Sequence, residues 1–165
     1  MEKSVIVLAS TLCFLSLLGS AFCETKLFVE GKIYCDTCRT QFVTRVSEYI
    51  KGAKVRLECR EREGGSITYS KEAETDEKGG YRIAVEGEHE EEICEIVLVK
   101  SPNPDCAEIH REANHDMNAR VSLTSHNGIS TPVREANPLG FLKKERLPIC
   151  TEVLRELGIT SEGIV

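Results

Sequence analysis

Tryptophan is absent from this 165-residue chain, and all aromatic residues together make up only 5% of it. So few rings argue against an aromatic platform for stacking sugars. Basic charge is also short: 21 Lys and Arg stand against 27 Asp and Glu, a net charge of −6. At long range such a chain repels nucleic acid, anionic lipid and acidic polysaccharide. Beyond residue 22 no run is long and apolar enough to span a bilayer. There is no nucleophile elbow, no phosphate-binding glycine loop and no metal-protease motif. The sequence therefore points to no catalytic residue, no metal site and no cofactor. A carboxylate pair for glycoside hydrolysis stays open, because sequence does not give distances.

The N-terminus sets the compartment. Lys3 gives a short basic start, and Ser4 to Leu18 is almost wholly apolar. Ala21 and Cys23 occupy the −3 and −1 positions of a small-residue cleavage site before Glu24. This is the anatomy of a secretory signal peptide over residues 1–23, with a signal anchor as the other reading. Residues 24–165 then form one domain, long enough to bury its own core. After cleavage no segment should insert in a membrane. Glu2 and Lys3 leave together, so the charge stays at −6.

Cleavage also changes what the cysteines mean. Of eight, Cys13 and Cys23 leave, and Cys35, Cys38, Cys59, Cys94, Cys106 and Cys150 remain. Cys35-Asp36-Thr37-Cys38 alone would suggest zinc or a redox dithiol in the cytosol. An even set in a secreted chain suggests three disulfides instead, with 15 pairings open. A redox dithiol needs a low-pKa thiolate, usually at a helix start after a strand. The surroundings here read as β. Oxidised sulfur does not ligate zinc. The four histidines share no ligand spacing and read as surface residues. Glu86 to Glu92 reads as a solvated turn, lacking an EF-hand's Asp-rich, Gly-centred loop. Lys143, Lys144 and Arg146 read as a solvated loop.

Most of the chain alternates with period two between turn residues. Leu27 to Tyr34, Val55 to Cys59, Ile67 to Ser70, Tyr81 to Val85, Ile93 to Val99 and Val121 to Leu123 read as strands. Asn127-Gly128 is a hairpin signal. Ser101 to Asp116 and Asn137 to Gly140 read as loops, and Gln41 to Ile50 also fits a helical face. Thr151 to Leu157 reads as a short helix, with Thr151 near its N-cap and Gly158 as its stop. The expected fold is all-β, a small antiparallel β-barrel or sandwich of about seven strands. Cys59 shares a face with Val55 and Leu57, and Cys94 with Ile96 and Leu98. If their strands are neighbours, those two cysteines can bridge inside the core.

Three segments carry a resemblance. They are Glu30-Gly31-Lys32-Ile33-Tyr34-Cys35-Asp36-Thr37-Cys38-Arg39, Gly52-Ala53-Lys54-Val55-Arg56-Leu57-Glu58-Cys59, and Asn137-Pro138-Leu139-Gly140-Phe141-Leu142-Lys143-Lys144-Glu145 with Leu147-Pro148-Ile149-Cys150. With the cysteine order, they resemble the olive-pollen major allergen family, the Ole e I-like secreted plant proteins. Ile33 departs from the family's usual valine, a swap between β-branched residues. Some relatives carry an N-glycosylation sequon near the Asn-Gly hairpin; here Ser130 comes one place too late, and no other sequon exists. The resemblance implies the pairing Cys35–Cys106, Cys38–Cys150 and Cys59–Cys94. It also implies a secreted, non-enzymatic protein of the extracellular space, linked to pollen-tube growth and signalling. The expected partner is a cell-surface receptor or wall component, met by the loops Ser101–Asp116 and Asn137–Arg146. The competing expectations are a passive wall or coat protein, a thiol oxidoreductase and a glycan hydrolase.

Overall fold

A computed structural model describes residues 26–62, 65–112, 115–116, 118–124, 128, 131–160 and 163–164. The expected signal peptide and Asn127 lie outside the described residues, as does the start of the 24–165 domain.

Two sheets pack face to face around one core. The second sheet in chain order is the simpler. Its strands are β3 (Lys54–Glu61), β4 (Ile67–Glu74), β6 (Glu92–Lys100) and β10 (Ala119–Val121), in the spatial order β10-β6-β3-β4. All three pairings in it are antiparallel. Its pattern follows from side-chain alternation. Val55, Leu57 and Cys59 are fully buried on one face of β3. The other face carries Arg56, Glu58 and Arg60, and both arginines bond the Glu58 carboxylate. That pairing is what allows Glu58 to be buried.

The first sheet gathers around β1 (Phe28–Asp36). One edge of β1 pairs antiparallel with β5 (Gly80–Ala84) and then β2 (Glu48–Tyr49). The other pairs in parallel with β11 (Val133–Glu135) and then β12 (Leu139–Lys143). β12 in turn pairs with β7 (Cys106–Glu108). Two-residue ladders join β8 (Arg111–Glu112) to β9 (His115–Asp116) and β13 (Ile159–Thr160) to β14 (Gly163–Ile164). Val29, Ile33, Tyr81, Ile83, Val85, Leu139 and Phe141 from this sheet meet Val55, Leu57, Ile96, Leu98 and Val121 from the other in one cluster.

The all-β expectation holds as a sandwich of two sheets; they do not close into a barrel. The first sheet is mixed, because β1 has two parallel partners, and period-two alternation carries no strand direction. Six of the described strands have five or more residues, and the rest have two or three. Residues 41–50 do not form the helix that their apolar spacing also allowed. They turn at Thr44–Ser47, where the Ser47 amide donates to the Thr44 carbonyl at 3.1 Å, and then add β2 to the sheet. The expected loop 101–116 contributes β7, β8 and β9, and 137–140 contributes the start of β12. The helix α1 runs Cys150–Glu156; its N-cap is Ile149, with no side-chain cap, so Thr151 lies inside it. Gly158, at φ 73°, ends it as expected.

Two glycines explain where two tyrosines go. Gly31 lies opposite Tyr81 and Gly140 opposite Tyr34 in the strand registers. A Cβ on Gly31 would come within 2.3 Å of the Tyr81 hydroxyl, and one on Gly140 within 2.7 Å of the Tyr34 ring. Each tyrosine thus lies across its glycine. Burial, with Asp36 second, pushes the Tyr34 phenol up to about 12. Gly140→Ala should destabilise the fold by about 1–3 kcal/mol, since the ring it meets is fully enclosed. Urea unfolding measures this, and an unchanged midpoint would show that the ring moves aside freely.

Candidate functional site

The site is built on the loop between β1 and β2. Asp36, the last residue of β1, is wholly buried. Its Oδ1 accepts from the Cys38 amide at 3.2 Å, and its Oδ2 from the Gln41 amide at 2.6 Å. Thr37 Oγ1 donates to the Val46 carbonyl at 2.9 Å. These bonds wrap the loop tightly enough to hold Arg39 and Gln41 at φ 59° and 66°. Left-handed backbone is costly for residues with a Cβ, so the carboxylate anchor is what sustains it.

The three bridges place this loop. Cys35 is bonded to Cys106, tying β1 to β7. Cys38 is bonded to Cys150, tying the loop to the first residue of α1. Cys59 is bonded to Cys94, its register partner across β3 and β6. All six cysteines are buried. The Cys-x-x-Cys pair thus has two remote partners and is not bonded to itself.

Arg39 then joins the two segments expected to carry recognition. Its guanidinium donates to both Glu108 carboxylate oxygens, at 2.8 and 2.6 Å, and to the Lys143 carbonyl at 2.6 Å. The Lys144 amide donates to the Asp105 carbonyl at 2.9 Å. Gln41 Nε2 lies 3.0 Å from His110 Nε2. So Asp105 to His110 and Lys143 to Lys144 form one surface beside the Cys-x-x-Cys loop. Phe42 and Val43, 39% and 42% exposed, lie on the same loop. Both outer segments are legible in the sequence, whereas Arg39 as their link is not. Its partner Glu108 is 69 positions away, and no local pattern reports that distance.

One other residue settles differently from expectation. His89 is not a surface residue: it is 9% exposed and packs, tilted by 42°, with its ring centre 4.5 Å from that of Tyr69. Its Nδ1 lies 2.7 Å from Glu92 Oε2, and its Nε2 lies 2.8 Å from the Glu86 carbonyl. With Cys59 these residues place three ligand-type atoms within 4.8 Å of one another. The Cys59 sulfur is committed to its bridge, so the donor set does not suit zinc. The run around His89 is otherwise solvated as expected, with Glu86, Glu88 and Glu91 exposed, and it is tied to the sandwich by Lys71–Glu86 and by Arg62 on the Glu91 carbonyl.

The exposed ion pairs set an acid limit. Hydrogen bonding to Arg39 holds Glu108 below the usual carboxylate range. Arg45 does the same to Glu156, and Lys71 to Glu86; the Gly80 and Lys78 amides lower Asp76. A lowered folded-state pKa gives stability that is present above the unfolded value and lost as pH falls through the folded one. The urea midpoint should therefore hold from neutral pH down to about 5 and fall below about 4. Each group is solvent-exposed, so the combined loss should be modest. A midpoint that rises on acidification would contradict this origin.

Taken together, fold and site define a small β-sandwich with three internal bridges and an open, ion-paired surface. Residues 25–158 match the family described as pollen protein Ole e 1 like. An Olee1-like protein of Betula pendula is 61% identical over 165 residues, covering 100% of this chain and 99% of its own. Pollen allergen Che a 1 of Chenopodium album is 49% identical, covering 95% and 94%. Anther-specific protein LAT52 of Solanum lycopersicum is 46% identical, covering 93% and 94%. The crystal structure of the major plantain pollen allergen Pla l 1 superposes with a TM-score of 0.67 at 38% identity, covering 74% of this chain and 98% of that one. The chain belongs to the Ole e 1-like family of pollen proteins. Che a 1 and Pla l 1 are named as allergens and LAT52 as an anther-specific protein, and none of these names is that of an enzyme.

Proposed function

We propose that this is a secreted, non-enzymatic plant protein that binds an extracellular partner during pollen or cell-wall growth. The observation that supports this best is the surface around Arg39. Two segments far apart in sequence are fixed side by side there, next to exposed Phe42 and Val43. A rigid scaffold presenting a partly apolar loop suits recognition by a receptor or a wall component. The three bridges suit an oxidising compartment. The relatives named as pollen-specific or anther-specific make pollen the tissue to test.

The test is saturable binding of the labelled, folded protein to intact pollen tubes. Phe42→Asp and Val43→Asp sit on exposed positions and should leave the fold intact. Each should weaken binding about tenfold or more if this surface is the contact. Binding that never saturates would favour a passive wall or coat component. Saturable binding that ignores both variants would move the contact elsewhere.

A further inference from the structure

The helix α1 buries Cys150 and Val153 against the rest of the fold. Between its other side, the segment leading into it and β13 lies a groove of about 510 Å³. Pro148, Ile149, Leu154 and Ile159 give this groove aliphatic walls, and no aromatic ring is among its described lining residues. Ile149 is 42% exposed, so the apolar wall is open to solvent. Arg146, Arg155 and Thr151 also line the groove, with a single acid, Glu152.

An apolar groove alone would not name its occupant; the charge on its walls does. Neither arginine makes a side-chain hydrogen bond or ion pair among the described residues. Arg155 acts on Glu156 only from beyond ion-pair distance, while Arg45 holds that carboxylate at 2.9 Å. Glu152 acts on Arg45 in the same way. Two uncommitted cations against one acid thus border an apolar groove, in a chain of net charge −6. The larger groove over β1 and β5 has the opposite balance, four acids to two cations.

We propose that this groove binds a free aliphatic carboxylic acid, its carboxylate met by Arg146 and Arg155 and its chain laid along Ile149, Leu154 and Ile159. A guanidinium offers a carboxylate two parallel donors. The Thr151 hydroxyl, also without a partner among the described residues, adds another. An alkyl chain asks only for apolar surface, and the volume is that of a small-molecule site. An aromatic acid would find no ring to stack on. A peptide would bring backbone groups that a helix wall does not pair: the Glu152 and Val153 amides both donate to the Ile149 carbonyl, and Pro148 has no N–H. The net charge of the chain is screened beyond about 10 Å at ordinary ionic strength, which leaves the two arginines to act on a single bound anion. The lining includes neither Phe42 nor Val43, so this inference stands or falls apart from the reading above.

An NMR titration of the intact, oxidised protein with monomeric decanoate tests this. Saturable shifts are expected at residues 146, 149, 151, 154, 155 and 159. Decyltrimethylammonium, with the same chain and the opposite charge, should leave them in place, and so should acetate, the head group alone. Arg146→Gln and Arg155→Gln should each weaken binding about tenfold. Ile149→Ser should weaken it several-fold and leave Tm nearly unchanged, because that side chain is exposed. No saturable shift with decanoate overturns the proposal. So does equal binding of the ammonium compound, or decanoate binding that neither arginine variant weakens. An acetylated trileucine that binds more tightly than decanoate would give the groove to a protein C-terminus. Shifts that grow with protein concentration alone would give it to a second copy of the chain. Either result overturns the proposal equally.

Discussion

Replacing Cys38 and Cys150 together by serine should lower stability by about 3–5 kcal/mol, the largest single effect expected in this molecule. The bridge closes a span of 112 residues, the longest of the three, and the chain-entropy contribution grows with that span. It also has a local task. α1 has seven residues, too few to persist alone in water, and lacks a side-chain N-cap. Cys150 and Val153 are its buried residues. Outside the bridge, the exposed Arg45–Glu156 pair and the Leu147 amide on the Thr37 carbonyl tie it to the β1–β2 loop. Hydrogen exchange should therefore accelerate over residues 150–157 and 38–47 while β3 and β6 stay protected. The Cys59–Cys94 bridge spans 35 residues between strands that already share a ladder, so its loss should cost less. Protection of α1 that survived the double replacement would show that Val153 packing suffices.

Asp36→Ala should cost about 2–4 kcal/mol and disorder the Arg39 surface at once. Removing the carboxylate strands the Cys38 and Gln41 amides, one of them buried. It also removes the support for two left-handed non-glycine residues. Arg39 would then lose its geometry on Glu108 and Lys143, so partner binding should fall with stability. Asp36→Asn keeps the shape and one acceptor oxygen, but turns an N–H2 toward an amide that needs an acceptor. An intermediate loss is expected for it. Urea unfolding of both variants, with the Gln41 amide followed by NMR, gives the measurement. A loss below about 0.5 kcal/mol for Asp36→Ala would mean that solvent replaces the carboxylate without cost.

The parts of this fold that were legible are those where one face is wet and the other dry. Val55, Leu57 and Cys59 alternate with charged residues, Tyr81, Ile83 and Val85 with Arg82 and Ala84, and all six are buried. Strand direction was not legible, because β11 and β12 alternate identically whether they run with β1 or against it. Residues 41–50 misled through spacing: Phe42 and Tyr49 fit a helical face, yet both face solvent, since Asp36 and the pairing of β2 fix that backbone first. His89 stood in a run of glutamates, and only the tertiary contact with Tyr69 shows that it is enclosed. The Arg39 surface followed the same rule. Its members were visible one by one, and the bonds that assemble them span 69 and 104 positions.

The strand β1 has four partners, and they are drawn from residues 48–49, 80–84, 133–135 and 139–142. The core of the other sheet, β3, β4 and β6, comes from residues 54–100 alone. The two sheets therefore differ in when they can be completed as the chain leaves the ribosome. One can pair its main strands with the middle of the sequence in hand. The other keeps one edge of its first strand waiting until residues 133–142 arrive, and long-range closure of this kind is slow. The edge that stays open longest in the nascent protein thus belongs to the first of the described strands to be made.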